Sequence, residues 1–309
     1  MAFRPVVGLG LCVVDHSYRI EGFDADAVRT RFIERRVSAG GMIGTAVCQA
    51  AALGCRTHVL SVVGDDAEGT IICKALRAAG VETRRLLRSA RVPTTVAVVL
   101  VDRRSGERHF IVPDRRGIEA EAPALDLSVI GPMTVLLVDG HFPKQALAAV
   151  RRARELGATV IGDFHRPRPG VRRLLPYVDH AIVPMEFVHA RGDADARETL
   201  HDLAARHGCR PVVTQGRRGG LFLDGRRVRR FRAHAVGRVV DTTGAGDAFH
   251  GAFAAGLAQG LAYDAALDLG AFAAARNCTA LGGAGRLTTS AEMRREWRYS
   301  GSGRGSRGR

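Results

Sequence analysis

The sequence predicts an α/β protein: a doubly wound, mainly parallel sheet flanked by helices and carrying a small β-sheet lid. Three observations lead there. Strand-length apolar runs alternate with Ala-rich helical stretches that stop at glycine. The alternation breaks at Pro93 into a Thr- and Val-rich hairpin. It then resumes and passes through Val239 to Gly251, where two apolar residues read as a strand end. An Asp-Thr-Thr turn, Gly-Ala-Gly and helix formers reaching Gln259 follow them.

Taken in order, Val6 to Val14 is an apolar run with glycines that reads as a buried central strand. It stops at Asp15-His16, so a carboxylate stands at the edge where open α/β sheets bind ligands. Residues 17–37 are charged and mixed, without a helical period. Gly40-Gly41 leads into an Ala-rich helix ending at Leu53-Gly54. Thr57 to Val63 is a strand closed by Gly64-Asp65-Asp66, and Ala67 to Ala79 is a helix stopped by Gly80. Thr94 to Asp102 and Glu107 to Val112 form the hairpin, which can take partner strands from residues 17–37 to make the lid. Further strands are expected at Thr134–Asp139, Thr159–Asp163, His180–Val183 and Pro211–Gln215, with helices at Lys144–Leu156 and Ala194–His207. Short strands Leu221–Leu223 and Arg227–Phe231 flank Asp224-Gly225, and helices Asp264–Ala280 and Ser290–Trp297 complete the domain. That domain covers residues 1–299, with lid segments at about 16–38 and 93–113, and residues 300–309, all Gly, Ser and Arg, read as a disordered tail.

Composition narrows the functional classes. No apolar run approaches the roughly 20 residues that span a bilayer. The start, Met1 to Pro5, lacks a signal-peptide pattern. Six scattered cysteines without a C-x-x-C pair fit reduced thiols, so a cytoplasmic protein is expected. The net charge of +15 and pI near 10.8 raise nucleic-acid binding. The charge is spread as Arg pairs such as Arg35-Arg36 and Arg172-Arg173, without interleaved aromatics, helix-turn-helix or zinc spacing. Solvated faces attractive to anionic substrates are therefore expected, and specific nucleic-acid binding is not. Gly8-Leu9-Gly10 lacks the third glycine of a dinucleotide fingerprint, position 13 being Val, which argues against a Rossmann oxidoreductase.

The chemistry concentrates in Gly244-Ala245-Gly246-Asp247. Glycines at a helix mouth leave unpaired N–H groups facing outward, and with the helix dipole these make an anion site. A carboxylate beside a bound phosphate is placed to take the proton of an attacking hydroxyl. A cradle and a base together suggest phosphoryl transfer.

The run Asp241-Thr242-Thr243-Gly244-Ala245-Gly246-Asp247-Ala248-Phe249 resembles the C-terminal signature of the ribokinase-like (PfkB) carbohydrate kinases, Asp-Thr-x-Gly-Ala-Gly-Asp-x-Phe. The resemblance extends to Asp15, Gly40-Gly41, Gly64-Asp65-Asp66, Pro93-Thr94 and Thr214-Gln215-Gly216-Arg217-Arg218-Gly219, and so spans Val6 to about Thr289. It implies a sugar kinase using ATP and Mg2+. Asp247 would be the general base, with Gly244, Ala245 and Gly246 as the anion hole. Thr214, Gly216, Gly219, Thr243 and Asn277 would border the nucleotide. Asp15, Gly40, Gly41, Thr45 and His141 would hold the acceptor sugar, and Glu186 would organise Mg2+ through water. A homodimer through the β-lid is implied too.

Two departures stand out. The Asn of the family's Asn-x-x-Glu is Val183 here, and the Asn of Gly-Gly-x-x-x-Asn is Thr45, which offers one hydroxyl in place of an amide. Ribose bound in the usual way is therefore not expected. Within the family, Val240 to Gly251, Thr45, Asp179-His180-Ala181 and Asn277-Cys278-Thr279 resemble bacterial sulfofructose kinases and neighbouring ketose kinases. A sulfonate calls for an arginine fork, for which Arg115 or Arg166 are candidates. A nucleoside kinase, stacking its acceptor on Phe23, Phe32 or Phe110, and a non-catalytic sugar or nucleotide binder are the alternatives.

Overall fold

The computed structural model describes residues 3–23, 28–193 and 195–299. In chain order the strands are β1 (Val6–Leu9), β2 (Val13–Ile20), β3 (Phe32–Gly40), β4 (Thr57–Gly64), β5 (Leu86–Ser89), β6 (Val96–Asp102), β7 (Arg108–Ile111), β8 (Val135–Val138), β9 (Thr159–Asp163), β10 (His180–Pro184), β11 (Arg210–Thr214), β12 (Gly220–Asp224) and β13 (Arg227–Phe231). The helices are α1 (Met42–Ala52), α2 (Ala67–Ala78), α3 (Arg116–Glu121), α4 (Pro143–Glu155), α5 (Pro169–Leu174), α6 (Met185–Arg191), α7 (Ala196–His207), α8 (Ala245–Ala258), α9 (Tyr263–Asn277) and α10 (Ser290–Glu296).

Nine strands form one sheet in the order β13-β12-β11-β10-β9-β8-β1-β4-β5, parallel from β11 to β5, with β12 and β13 antiparallel at one edge. Alternate side chains point to opposite faces of a strand. Thus Val135 and Leu137 of β8 join the core under α1, α8 and α9, while Leu136 and Val138 join the core under α4 and α7. Burial on both faces is why these strands read as unbroken apolar runs. Among the described residues no helix is long and apolar enough to cross a membrane.

The lid is a second sheet, β3-β2-β6-β7. The expected central strand from Val6 to Val14 is in fact two strands in two sheets. The chain leaves β1 at Gly10, whose φ of +155° and missing Cβ let it pass Asp139: an added Cβ would lie 2.2 Å from the Asp139 carboxylate. Leu11 N–H then donates to Asp139 Oδ2 at 2.7 Å. Asp15 therefore sits inside lid strand β2, not just past the end of a core strand. A second difference concerns Val239-Val240, which belong to an irregular segment and end no strand. The helices α3, α5 and α6 and strand β5 were not foreseen; with seven residues or fewer they are too short for a period to show. The tail at 300–309 lies outside the described residues.

Pairing fixes the lid's two faces. Asp15 lies opposite Ser38 and Ala97, Ser17 opposite Arg36 and Val99, Arg19 opposite Glu34 and Val101, and Arg108 and Phe110 continue the row on β7. This is the inner face: Ala97, Val99 and Val101 pack on Leu281 and Val240.

Candidate active site

Asp247 enters in the first turn of α8, whose N-cap Gly244 is left-handed at φ +73°. A Cβ on Gly244 would lie 2.0 Å from the Gly283 carbonyl oxygen, so the close approach of two loops demands glycine. Ala245 N–H makes a long 3.4 Å bond to Thr242 O and Ala248 N–H bonds Gly244 O at 2.8 Å. Among the described residues this leaves the Gly246 and Asp247 N–H groups as open donors at the helix mouth.

Buried groups brace this turn from behind. Asp241, fully buried, accepts from Thr243 N–H and from Gly282 N–H, both at 2.8 Å. Asn277, equally buried, donates Nδ2–H to Thr243 O at 2.8 Å. Asn277, expected beside the nucleotide, reaches the backbone of the Thr243 loop. Gln49 of α1 clamps Thr288 through both its N–H and its C=O, anchoring the 281–288 loop against which Gly244 rests.

Facing the turn, the lid presents Asp15. A Cβ on Gly40 would meet Asp15 Oδ2 at 2.0 Å, and one on Gly283 would meet it at 3.1 Å and Thr45 Oγ1 at 3.5 Å. Gly41, at φ +89°, caps α1 where a Cβ would strike Leu11 O at 2.5 Å. Asp15, Gly40, Gly41 and Thr45 are thus gathered into one cradle. Among the described residues, Thr45 Oγ1, Ser17 Oγ, Ser38 Oγ and Thr243 Oγ1 are all buried without a protein partner. A group of unsatisfied hydroxyls around a carboxylate suits a polyhydroxylated ligand. Ser17 and Ser38 were missed in the sequence, although the two-residue period of a strand puts Ser17 on the face of Asp15.

The carboxylates are far from their ordinary state. Burial pushes Asp15 up to about 7, with Asp241 adding repulsion. Burial also pushes Asp247 up to about 7; Asp15 and Asp139 add to this and Arg108 opposes it. Such a carboxyl is poised between acid and base near neutral pH. Arg108 arrives from β7: its Nη1–H donates to Thr242 Oγ1, and Thr242 Oγ1–H donates to Gly106 O at 3.2 Å. The lid tip is thereby docked on the anion turn.

Other expected positions lie around this centre. Thr214 ends β11, and Gly216 and Gly219 bound a 3-10 turn closed by Gln215 N–H to Gly219 O at 2.7 Å. His141 follows Asp139, which accepts His141 N–H at 2.9 Å. The His141 ring meets Glu119 Oε1 at 2.6 Å and Arg115 Nη1 at 3.1 Å, so one of the two candidate arginines is there and already partnered. Among the described residues Arg166 makes no hydrogen bond to the cradle, its carbonyl accepting from Arg168 N–H at 2.8 Å. Glu186 is exposed in the first turn of α6, and its charge opposes the burial that lowers the His165 imidazole. Of the aromatic candidates, Phe110 alone is on the inner face; Phe32 packs on Tyr18 and Phe23 on His109.

Comparison with known proteins follows this geometry. The chain is 27% identical over 257 residues to the ribokinase of Bacillus subtilis (strain 168), covering 82% of this chain and 86% of the relative. A solved structure from Agrobacterium tumefaciens, provisionally assigned as a ribokinase, matches with TM-score 0.86 and 28% identity over 95% of this chain and 97% of that one. The Arabidopsis thaliana ribokinase solved with ribose and ATP shares the fold at TM-score 0.78 and 21% identity, covering 96% and 98% of the two chains. The model of the pfkB family carbohydrate kinases matches residues 4–289. The chain belongs to the pfkB family of carbohydrate kinases and is an ATP-dependent sugar kinase.

Proposed function

We propose that the protein transfers the γ-phosphoryl group of ATP to a primary hydroxyl of a sugar or sugar derivative, a ketose of the fructose or sulfofructose type. The observation that carries this is Asp247 at the mouth of α8. A carboxyl held near 7 by burial lies beside two open backbone donors and across from Asp15. Asp247 takes the proton as the hydroxyl attacks. The N–H groups of the Gly244–Gly246 turn and of Asp247 receive the charge that develops on the transferred group, where fixed dipoles need no reorganisation. Asp15, Thr45, Ser17 and Ser38 hold the acceptor's hydroxyls, while Thr214, Gly216, Gly219 and Thr243 border the nucleotide.

Magnesium fits the donor set as a phosphate-bound ion. Among the described residues no three histidine, cysteine or carboxylate side chains converge as a cage. An ion that keeps its waters and binds phosphate oxygens needs only one or two carboxylates, which Glu186 can serve through water. When bound, it would neutralise charge on the phosphates. The lid favours a sugar over a nucleoside, since among its described residues Phe110 is the only inward aromatic and lies under the Arg108 guanidinium at 5.8 Å. A pure binder has no use for a base at the anion turn.

The experiment is ATP turnover across a panel of sugars, comparing wild type with Asp247→Ala. Loss of a general base is expected to lower kcat by about 10²- to 10⁴-fold. Unchanged turnover in the variant refutes the assignment.

A further inference from the structure

Behind the anion turn lie two buried ionisable side chains that the proton transfer does not use. His250, one turn into α8, places Nδ1 2.6 Å from the Gly246 carbonyl oxygen. Asp163, at the end of β9, brings Oδ2 to 3.2 Å from the same Nδ1, without hydrogen-bond alignment. Both side chains are more than nine-tenths buried.

The tautomer follows from the partner. A carbonyl oxygen can only accept, so Nδ1 carries the proton. Burial lowers the imidazole pKa to about 4, so the ring is neutral, and the backbone of Ile182 faces it along with that of Gly246. In the helical register Gly246 C=O also accepts the backbone N–H of residue 250. One residue thus gives the same carbonyl two hydrogen bonds. The other end of that peptide unit is the Asp247 N–H, one of the open donors of the anion turn. An amide whose oxygen is bonded is a stronger donor at its nitrogen. Its plane is also pinned, so the N–H cannot tilt away from the helix axis.

We propose that His250 is a positioning residue for phosphoryl transfer, locking and polarising the Gly246–Asp247 peptide. This rests on the reading of the turn as an anion hole. It predicts an effect on turnover and not on the binding of either substrate, because the charge that the N–H meets is largest in the transition state. A ring that merely fills the core against Phe249 would give no such split.

The test compares three variants by steady-state kinetics and thermal melting. His250→Leu keeps bulk and removes the donor; His250→Asn places an amide N–H where Nδ1–H stood; His250→Gln places it where Nε2 stood. His250→Leu is expected to lower kcat by at least about tenfold, below the 10²- to 10³-fold for deleting an anion-hole donor outright. KM for sugar and ATP should move less than about twofold, the sign of an interaction made only in the transition state. His250→Asn should recover most of kcat. Should His250→Leu not fold, His250→Gln, whose N–H is displaced from the Gly246 carbonyl, serves as the comparison without a donor at the Nδ1 position. A folded donor-less variant with wild-type kcat overturns the proposal, as does an Asn variant that falls equally far. Asp247→Asn, measured alongside, keeps the readings apart: full activity there refutes the base and leaves the His250 comparison standing.

Discussion

Asp15 and Asp247 are carboxylates held where ionisation is least favourable, and both are raised to about 7, first by burial. Two consequences follow for pH. As the base, Asp247 must be ionised, so kcat/KM should fall as pH drops through about 7, the value to which its carboxyl is raised. A pH–rate profile checks this. For stability the sign is opposite. A carboxyl whose folded pKa lies above its unfolded value binds protons more tightly in the folded state. Its contribution is fully present below the unfolded value and is lost as pH rises through the folded one. The free protein should therefore lose stability between about pH 4 and 7 from these groups. Asp15→Asn should raise the melting temperature at pH 8 while weakening sugar binding, and calorimetry at pH 5 and 8 reads the difference. Of these residues Asp247 was legible because its whole setting is contiguous. Asp163 was not, because the His250 it approaches is distant in sequence.

The mouth of α8 is built by contact between segments, and substitutions there test the construction. Gly244→Ala forces a Cβ onto Gly283 O at φ +73°, costing about 1–3 kcal/mol and shifting the donors. Denaturant unfolding and kcat should both fall. Asn277→Ala leaves Thr243 C=O buried and unpaired, a loss of about 1–3 kcal/mol, read by the same unfolding. The helix and its glycines could be read from sequence, since capping and periodicity are local. The brace could not, because Asp241, Gln49 and Asn277 act on backbone that sequence does not place. The lid strands show the middle case. Their existence was legible from Thr/Val texture, and their facing from the two-residue period, but the break at Gly10 that moves Asp15 into the lid depends on Asp139, a residue of β8's exit.

Across the molecule, the outer face of the lid is exposed and apolar. Val37, His16, Val98 and Ile111 form a row across the four strands, with Phe32 beside Tyr18. We propose that a second copy of the chain covers this face, in which case Ile111→Glu should lower the sedimenting mass with the α/β core unchanged. The inner face has another consequence, carried by Thr242. Its hydroxyl holds Gly106 and receives Arg108, so the lid tip rests on the turn. Thr242 is then a latch, and what it sets is time. Opening of the lid at this point requires two hydrogen bonds to part. Thr242→Val should quicken both association and release in stopped-flow measurements, while Thr242→Ser, which keeps the hydroxyl, should leave them slow.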